Sequence, residues 1–363
     1  MLADVREGRE GRAVSEGREV REVRDVRPVA LTPRPVVGSL DELLAGATHR
    51  EPFLHSDGKS GSAFERVRIG GEPHVVKHVH VDDDWTMRFN GDIACNPARV
   101  WQAGLMDVLP ERIDHGVVAV ATGLGRNGWG AALLMRDLSD AMVPPGDALL
   151  THEQHDSLVD DLAALSARMW GWKDTIGLVP LETRWTWFNH AQLAVEQERG
   201  WTEPVPKIAY DGWERFATRA PADVFAVVDA LRHDPSPLVE RMRSTPLTFV
   251  HGDWKLGNLG TASDGRTALI DWTYPGEGPC CYELAWYLAV NRVRMPSSKE
   301  ATMERFRRAL ERNGIDTTGW FDTQMRLSLL AGLVVFGWEK ALDEGDDELR
   351  WWCDRTREAM SLL

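Results

Sequence analysis

Two short apolar runs, Leu247-Thr-Phe-Val250 and Thr267-Ala-Leu-Ile270, flank a polar segment that carries glycines and charges. Runs of that length, broken in that way, predict strand, tight loop, strand. Upstream, Arg68-Ile69 leads into a hairpin turn at Gly70-Gly71 and returns as His74-Val75-Val76-Lys77. Val117-Val-Ala-Val-Ala121 and Ala131-Ala-Leu-Leu-Met135 predict two more strands around a glycine-rich turn at 123–130. Helical signals are fewer in this half. Ser39 stands three residues before Glu42, as in a capped helix start, and residues 97–109 have helical spacing. After Pro144-Pro145-Gly146 the helical period dominates. Leu158, Leu162, Leu165 and Met169 share one face of a helix over 151–172. Residues 177–244 read as a helical insertion carrying Trp185, Trp187, Trp201 and Trp213, more often core residues than stacking platforms. From Ser297 onward the chain is largely helical, punctuated by Gly314.

The first 35 residues fit neither period. Units such as Arg18-Glu19-Val20-Arg21-Glu22-Val23 place opposite charges side by side with few large apolar groups. Such a segment cannot bury enough surface to offset its ordering entropy, which predicts a disordered charged tail over 1–35. The 363-residue chain is 43% hydrophobic and 27% charged, ordinary for a globular protein with room for two lobes. A net charge of −14 argues against general nucleic-acid binding, and would suit a cationic partner as well as simple solubility. No apolar run approaches a membrane span, and no signal-peptide core opens the chain. Cys95, Cys280, Cys281 and Cys353 show no C-x-x-C spacing, so they read as reduced thiols in a cytoplasm.

The candidate chemistry sits between the two runs described first. His251-Gly252-Asp253-Trp254-Lys255-Leu256-Gly257-Asn258 brings two polar side chains five apart, and Asp271 follows thirteen residues after Asn258. Phosphoryl transfer needs one carboxylate to take the acceptor's proton, with a second carboxylate and an amide to hold Mg2+ on the phosphates. Singly, such residues commonly cap turns; the ordered set has the spacing of a kinase catalytic loop and its metal-binding Asp. At these residues the chain resembles the aminoglycoside phosphotransferase and choline kinase families. HGDWKLGN matches their H-G-D-x-x-x-x-N loop, and Ile270-Asp271-Trp272 their I-D-[WF]. The resemblance implies an α+β, bilobal protein-kinase-like fold, with a small N-terminal sheet lobe and a larger, mainly helical C-terminal lobe. It also implies Asp253 as catalytic base, and Asn258 and Asp271 as Mg2+ ligands.

Weaker matches extend the resemblance over roughly residues 50 to 290. The glycine- and serine-rich segment through Ser62 is similar to the family's phosphate loop, and Lys77 to the strand lysine that grips ATP. A P-loop reading of Gly58-Lys59-Ser60 fails, because Phe53 stands where that motif needs glycine. Leu133-Leu134-Met135-Arg136-Asp137-Leu138 resembles the hinge that reads adenine, with Arg136 in place of an acid, and sets the lobe boundary after residue 136. The family's helix glutamate, which should pair with Lys77, has no counterpart: no glutamate lies between Glu72 and Glu111, and Asp92 is the candidate substitute. Glu283 stands where the families carry an Asp that supports the catalytic loop. His78 and His80, lacking further ligands, read as surface residues.

Together these residues imply an ATP- and Mg2+-dependent transfer to a hydroxyl of a small molecule, without a phosphoenzyme, a membrane or a nucleic-acid partner. Lys255 is either a solvent-facing loop lysine or a group that neutralises charge on the transferring phosphate. Two other readings stand beside this one. A protein kinase is disfavoured by the missing A-P-E segment and the twelve residues between Asp271 and Glu283. A nucleotide-binding pseudokinase is favoured by the absent glutamate and opposed by the intact Asp253, Asn258 and Asp271. Neither the acceptor nor the oligomeric state can be read from the sequence.

Overall fold

The computed structural model describes residues 30–53 and 60–363. Most of the charged tail and the start of the glycine-serine loop therefore lie outside the described residues. Residues 30–35, assigned to the tail by composition, lie against a helix. Arg34 stacks over Trp101 at 4.4 Å, and the Trp101 indole donates to the Pro35 carbonyl at 3.0 Å.

The smaller half is built on a five-stranded sheet. Helix α1 (Leu40–Leu43) precedes strands β1 (Ala47–Phe53), β2 (Ala63–Ile69) and β3 (Glu72–His80). Helices α2 (Trp85–Asn90) and α3 (Asn96–Gln102) follow, then β4 (Ile113–Asp114), β5 (Val117–Leu124) and β6 (Gly130–Arg136). The sheet runs β1-β2-β3-β6-β5, with antiparallel neighbours throughout. Alternation along β3 divides its side chains between the two faces. Val76 joins Leu43, Leu44, Val67, Ala132 and Leu134 in a small core under α1, whereas Val79 and Leu133 belong to the main core. Lys77, next to Val76 in β3, therefore projects away from the α1 core.

The helical spacing over 97–109 is realised in two pieces, α3 and a 3-10 turn at Leu105–Val108. Gly104 breaks them at φ 76°, where a Cβ would stand 2.1 Å from the Thr32 carbonyl oxygen. Only glycine admits that approach of the N-terminal segment.

The larger half begins with α4 (His152–Arg168), whose Thr151 and Gln154 form a capping box. The interval read as an insertion contains α5 (His190–Glu198), α6 (Pro204–Arg219), α7 (Ala222–His233) and α8 (Ser236–Arg243). Next come β7 (Thr248–Val250), β8 (Leu259–Thr261), β9 (Thr267–Leu269), β10 (Gly276–Gly278) and α9 (Cys280–Val290). Helices α10 (Lys299–Arg312), α11 (Phe321–Leu342) and α12 (Asp347–Met360) end the chain. Residues Leu327 to Gly337 are buried without interruption, so α11 is a central post against α6, α9 and α12. Among the described residues no helix is long and apolar enough to cross a membrane.

The α+β, bilobal architecture expected from the sequence is the one observed. The short pairs β7–β10 and β8–β9 bracket residues 251–258 and 270–275, which places both polar segments at strand ends.

Candidate active site

The loop after β7 is fixed by its backbone before its side chains matter. Gly252 has φ 87°, and a Cβ there would lie 2.0 Å from the Tyr274 carbonyl oxygen, so the residue must be glycine. Its N–H donates to Glu283 Oε1 at 2.6 Å, and the His251 N–H to Glu283 Oε2 at 3.2 Å. Glu283 thus satisfies two buried donors from α9, the supporting position expected for it. Burial pushes its carboxyl up to about 7, against the downward pull of the Gly252 hydrogen bond and the Arg184 charge. His251 Nε2 faces the Ile270 carbonyl at 3.1 Å, and its Nδ1 faces the Asp253 N–H at 3.3 Å. Those partners select the neutral Nε2–H tautomer, and burial lowers the imidazole to about 4.

Asp253 is held by three donors. Oδ1 accepts from the Trp286 indole at 3.0 Å; Oδ2 accepts from Lys255 Nζ at 2.6 Å and Asn258 Nδ2 at 2.8 Å. Asn258 also donates to the Asp253 carbonyl at 3.0 Å, and the Asn291 carboxamide accepts the Leu256 N–H at 3.0 Å. Asp271 adopts φ 65°, a conformation uncommon outside glycine and found at functional sites. Its Oδ1 accepts from Lys77 Nζ at 2.8 Å and from Thr273 Oγ1 at 2.5 Å. Burial opposes its ionisation, but the Lys77 and Lys255 charges prevail and hold the carboxyl well below the usual carboxylate range. Desolvation pulls the Lys255 ammonium down, and the charges of Asp253 and Asp271 more than reverse it.

Asp253, Lys255, Asn258, Asp271 and Lys77 are therefore gathered into one cluster from two lobes. Asp92 is not part of it. Its carboxylate accepts from the Ala94 and Asn96 N–H groups at 3.2 and 2.7 Å and so caps the entry to α3, while the ion-pair partner of Lys77 is Asp271. Helix α3 reaches the Asp271 segment with an amide instead: Asn96 Nδ2 donates to the Thr273 carbonyl at 3.3 Å. Ser62 donates to Asp84 Oδ2 at 2.8 Å, tying the end of the glycine-serine segment to the cap of α2. Met135 is half-buried on β6, paired with Val75 and Val117. Arg136 beside it pairs with Asp114. Trp286, Asn291 and Thr273 were missed from the sequence. Trp286 lies in a helix that is apolar apart from Glu283, where nothing separates a core indole from one that aims its N–H at a carboxylate.

The same cluster suits a hard cation. Asn258 uses its amide hydrogens on Asp253, leaving the carboxamide oxygen as a ligand atom, and Asp271 Oδ2 accepts no hydrogen bond among the described residues. An amide oxygen and an ionised carboxylate oxygen are the donors Mg2+ takes.

A small antiparallel-sheet lobe and a larger helical lobe thus meet at one cluster of carboxylates, amide and lysines. The chain belongs to the phosphotransferase enzyme family, whose model matches residues 84–321. Among solved structures it is similar to the choline kinase LicA of Streptococcus pneumoniae, with 13% identity, 89% of this chain and 96% of that chain covered, and a TM-score of 0.47. It is similar to macrolide 2'-phosphotransferase type I, with 17% identity, coverage of 89% and 98%, and a TM-score of 0.42. A third is a thermostable mutant of aminoglycoside phosphotransferase APH(4)-Ia in ternary complex with ADP and hygromycin B, at 13% identity, 89% and 97% coverage and a TM-score of 0.42. No curated protein matches the chain.

Proposed function

We propose that this protein moves the γ-phosphoryl group of ATP to a hydroxyl of a small amino- or sugar-containing molecule. The observation that carries this reading is the Asp253 carboxylate, locked by Trp286, Lys255 and Asn258 beside the Lys77–Asp271 pair. Asp253 orients the acceptor hydroxyl and takes its proton as the new O–P bond forms; the bond to the bridging oxygen breaks and its electron pair leaves on ADP. Lys77 steadies the donor's phosphates, and Lys255, next to both carboxylates, meets the negative charge on the transferring group. Asn258 and Asp271 hold Mg2+, which supplies charge neutralisation on the phosphates. Ser62 lies on the phosphate side of the nucleotide, and Met135 lies at the adenine end of the cleft. The corresponding division is a nucleotide-binding lobe over residues 36–136 and a catalytic and acceptor-binding lobe over 137–363. All four cysteines are free and buried, in keeping with a cytoplasmic enzyme.

A coupled ADP-release screen across amino alcohols, aminoglycosides, macrolides and sugars tests the reading. With an acceptor in hand, Asp253→Asn is expected to lower turnover by about 10²–10⁴ while leaving MgATP affinity intact. Asp271→Asn is expected to weaken Mg2+-dependent nucleotide binding instead. Wild-type turnover by the Asp253 variant would remove Asp253 from the role of base.

A further inference from the structure

The helical insertion gathers two imidazoles and a carboxylate away from the catalytic loop. Asp229 and His233 are one turn apart on α7 and share a face. His190, the first residue of α5, meets them from the neighbouring helix. Its position is fixed by the Asn189 cap, whose side chain accepts the Gln192 N–H at 2.9 Å. His190 Nε2 lies 3.1 Å from Asp229 Oδ1, and His233 Nε2 lies 3.9 Å from Asp229 Oδ2. The two exposed rings stack with centroids 4.3 Å apart and planes 13° apart, so their in-plane Nε2 lone pairs run side by side and one ring must turn to meet an ion shared with the other. One ligand atom from each residue can be chosen so that all lie within 4.8 Å of one another.

Bond lengths of ~2.0–2.2 Å about a tetrahedral Zn2+ put neighbouring ligand atoms roughly 3.3 Å apart. The His190 separation is close to that distance, and the 4.8 Å limit on the set is within reach of it once the exposed rings turn. We infer that His190, Asp229 and His233 form a binding site for a divalent transition metal of the Zn2+ class, which staples α5 to α7. Two imidazoles and one carboxylate favour Zn2+ over Mg2+, since nitrogen donors suit the softer ion. Arg232 sits behind the carboxylate, with Nη1 3.8 Å from Asp229 Oδ1. The Trp213 ring at 3.7 Å and the Phe188 carbonyl at 3.0 Å hold its guanidinium in turn. That contact orients Asp229 as outer partners of metal ligands do, while its charge tempers the affinity. Both rings are exposed, which leaves an entry path and an open coordination position for water. His190 and Asp229 also border a cavity lined by Leu193, Tyr210, Trp213 and Phe225, so an ion here would stiffen one wall of it.

The test uses the full chain, stripped with a chelator and held in excess Mg2+ so that oxygen-donor sites are filled. Zn2+ is titrated calorimetrically, and Co2+ is followed by its visible absorption bands. The expected result is one Zn2+ per chain, with a rise in Tm. His190→Gln and His233→Gln should each weaken binding by more than about tenfold and abolish the Tm rise, a loss beyond that for an outer partner alone. Asp271→Asn should leave this Zn2+ binding unchanged. Absence of binding to wild type, or equal binding in both histidine variants, would overturn the site and leave a proton-bridged cluster. Should either variant fail to fold, X-ray absorption of the Zn2+-loaded wild type decides: two imidazoles in the shell uphold the site, and a shell without them overturns it.

Discussion

The Trp286 indole N–H donates to Asp253 Oδ1 at 3.0 Å, on the opposite side of the carboxylate from Lys255 and Asn258, which both reach Oδ2. Trp286 is itself wedged among Trp187, Tyr274 and Phe336, so the carboxylate is gripped by a rigid donor from the core and cannot turn freely. Trp286→Phe keeps most of the packing and removes the donor. A hydrogen bond to a charged group is worth about 1.5–3 kcal/mol, so kcat should fall roughly ten- to a hundredfold. KM for ATP should stay near wild type, because Asp253 acts on the acceptor. Steady-state constants with one identified acceptor check this, and an unchanged kcat would show that the indole only packs.

Lys255 contacts Asp253 at 2.6 Å with a side chain that remains 40% exposed. An ammonium so placed can follow charge from the base to the transferring phosphoryl group. Lys255→Ala should therefore lower kcat much more than it raises KM for ATP, the pattern of an interaction made mainly in the transition state. Lys255→Arg should restore part of the loss, since a planar fork replaces a compact ammonium poorly in a tight loop. If the alanine variant turns over normally, the lysine is a surface residue.

The contrast between Asp253 and Trp286 shows how far a sequence can be read here. Asp253, Asn258 and Asp271 stood out as one candidate cluster because the proposed chemistry requires particular residue types at particular spacings along one short strand-loop-strand unit. Strands β3, β5 and β6 were legible from their short apolar runs, whereas β1 was not: its side chains are mostly exposed and leave no apolar alternation to read. Residues whose role depends on which face of an element they occupy were not. Asp92 had the right charge at a plausible distance, but the backbone turns it into the cap of α3, and Asn96 one turn later reaches the Asp271 segment instead. The break at Gly104 depends on the Thr32 carbonyl, more than seventy residues away in sequence, and no local pattern could reveal it.

Glu283 and His251 give stability opposite pH dependences. Burial raises the Glu283 carboxyl from 4.5 to about 7, so the native state binds a proton that the unfolded state has released. That contribution is fully present below pH 4.5 and is lost as pH rises through about 7. The buried imidazole of His251 is lowered from 6.5 to about 4, so its contribution is present above pH 6.5 and lost as pH falls through about 4. Glu283→Gln removes only the first. It should cost about 1–3 kcal/mol where Glu283 is protonated, because an amide accepts from one of the two loop N–H groups and leaves the other unsatisfied. The stability gap between wild type and variant should narrow as pH rises from 4.5 to 7. Urea unfolding of both proteins across that window measures it, and a gap independent of pH would contradict the shift.

Arg88 binds α2, directly after the Lys77 strand, to the insertion by charge. Its guanidinium forks onto Glu196 at 2.7 and 2.8 Å, reaches Glu203 at 3.2 Å, and donates back to the Val81 and Asp82 carbonyls at 3.2 and 3.0 Å. Glu196 is only 1% exposed. Arg88→Met would leave that carboxylate buried without its counter-ion, which should destabilise the protein by about 3–5 kcal/mol. Glu196→Leu should cost less, because Arg88 keeps Glu203 and two carbonyls. Combining the two substitutions should recover much of the Arg88→Met loss, since the penalty comes from the stranded charge and not from the missing contact. The same α2 carries at its start the Asp84 cap that holds Ser62. Arg88→Met is therefore also expected to raise KM for ATP, as Ser62 loses a firm anchor. Urea unfolding of the four proteins in the cycle gives the coupling energy. A single variant within about 1 kcal/mol of wild type, the range of an exposed pair, would mean that the bridge does not hold α2 to the insertion.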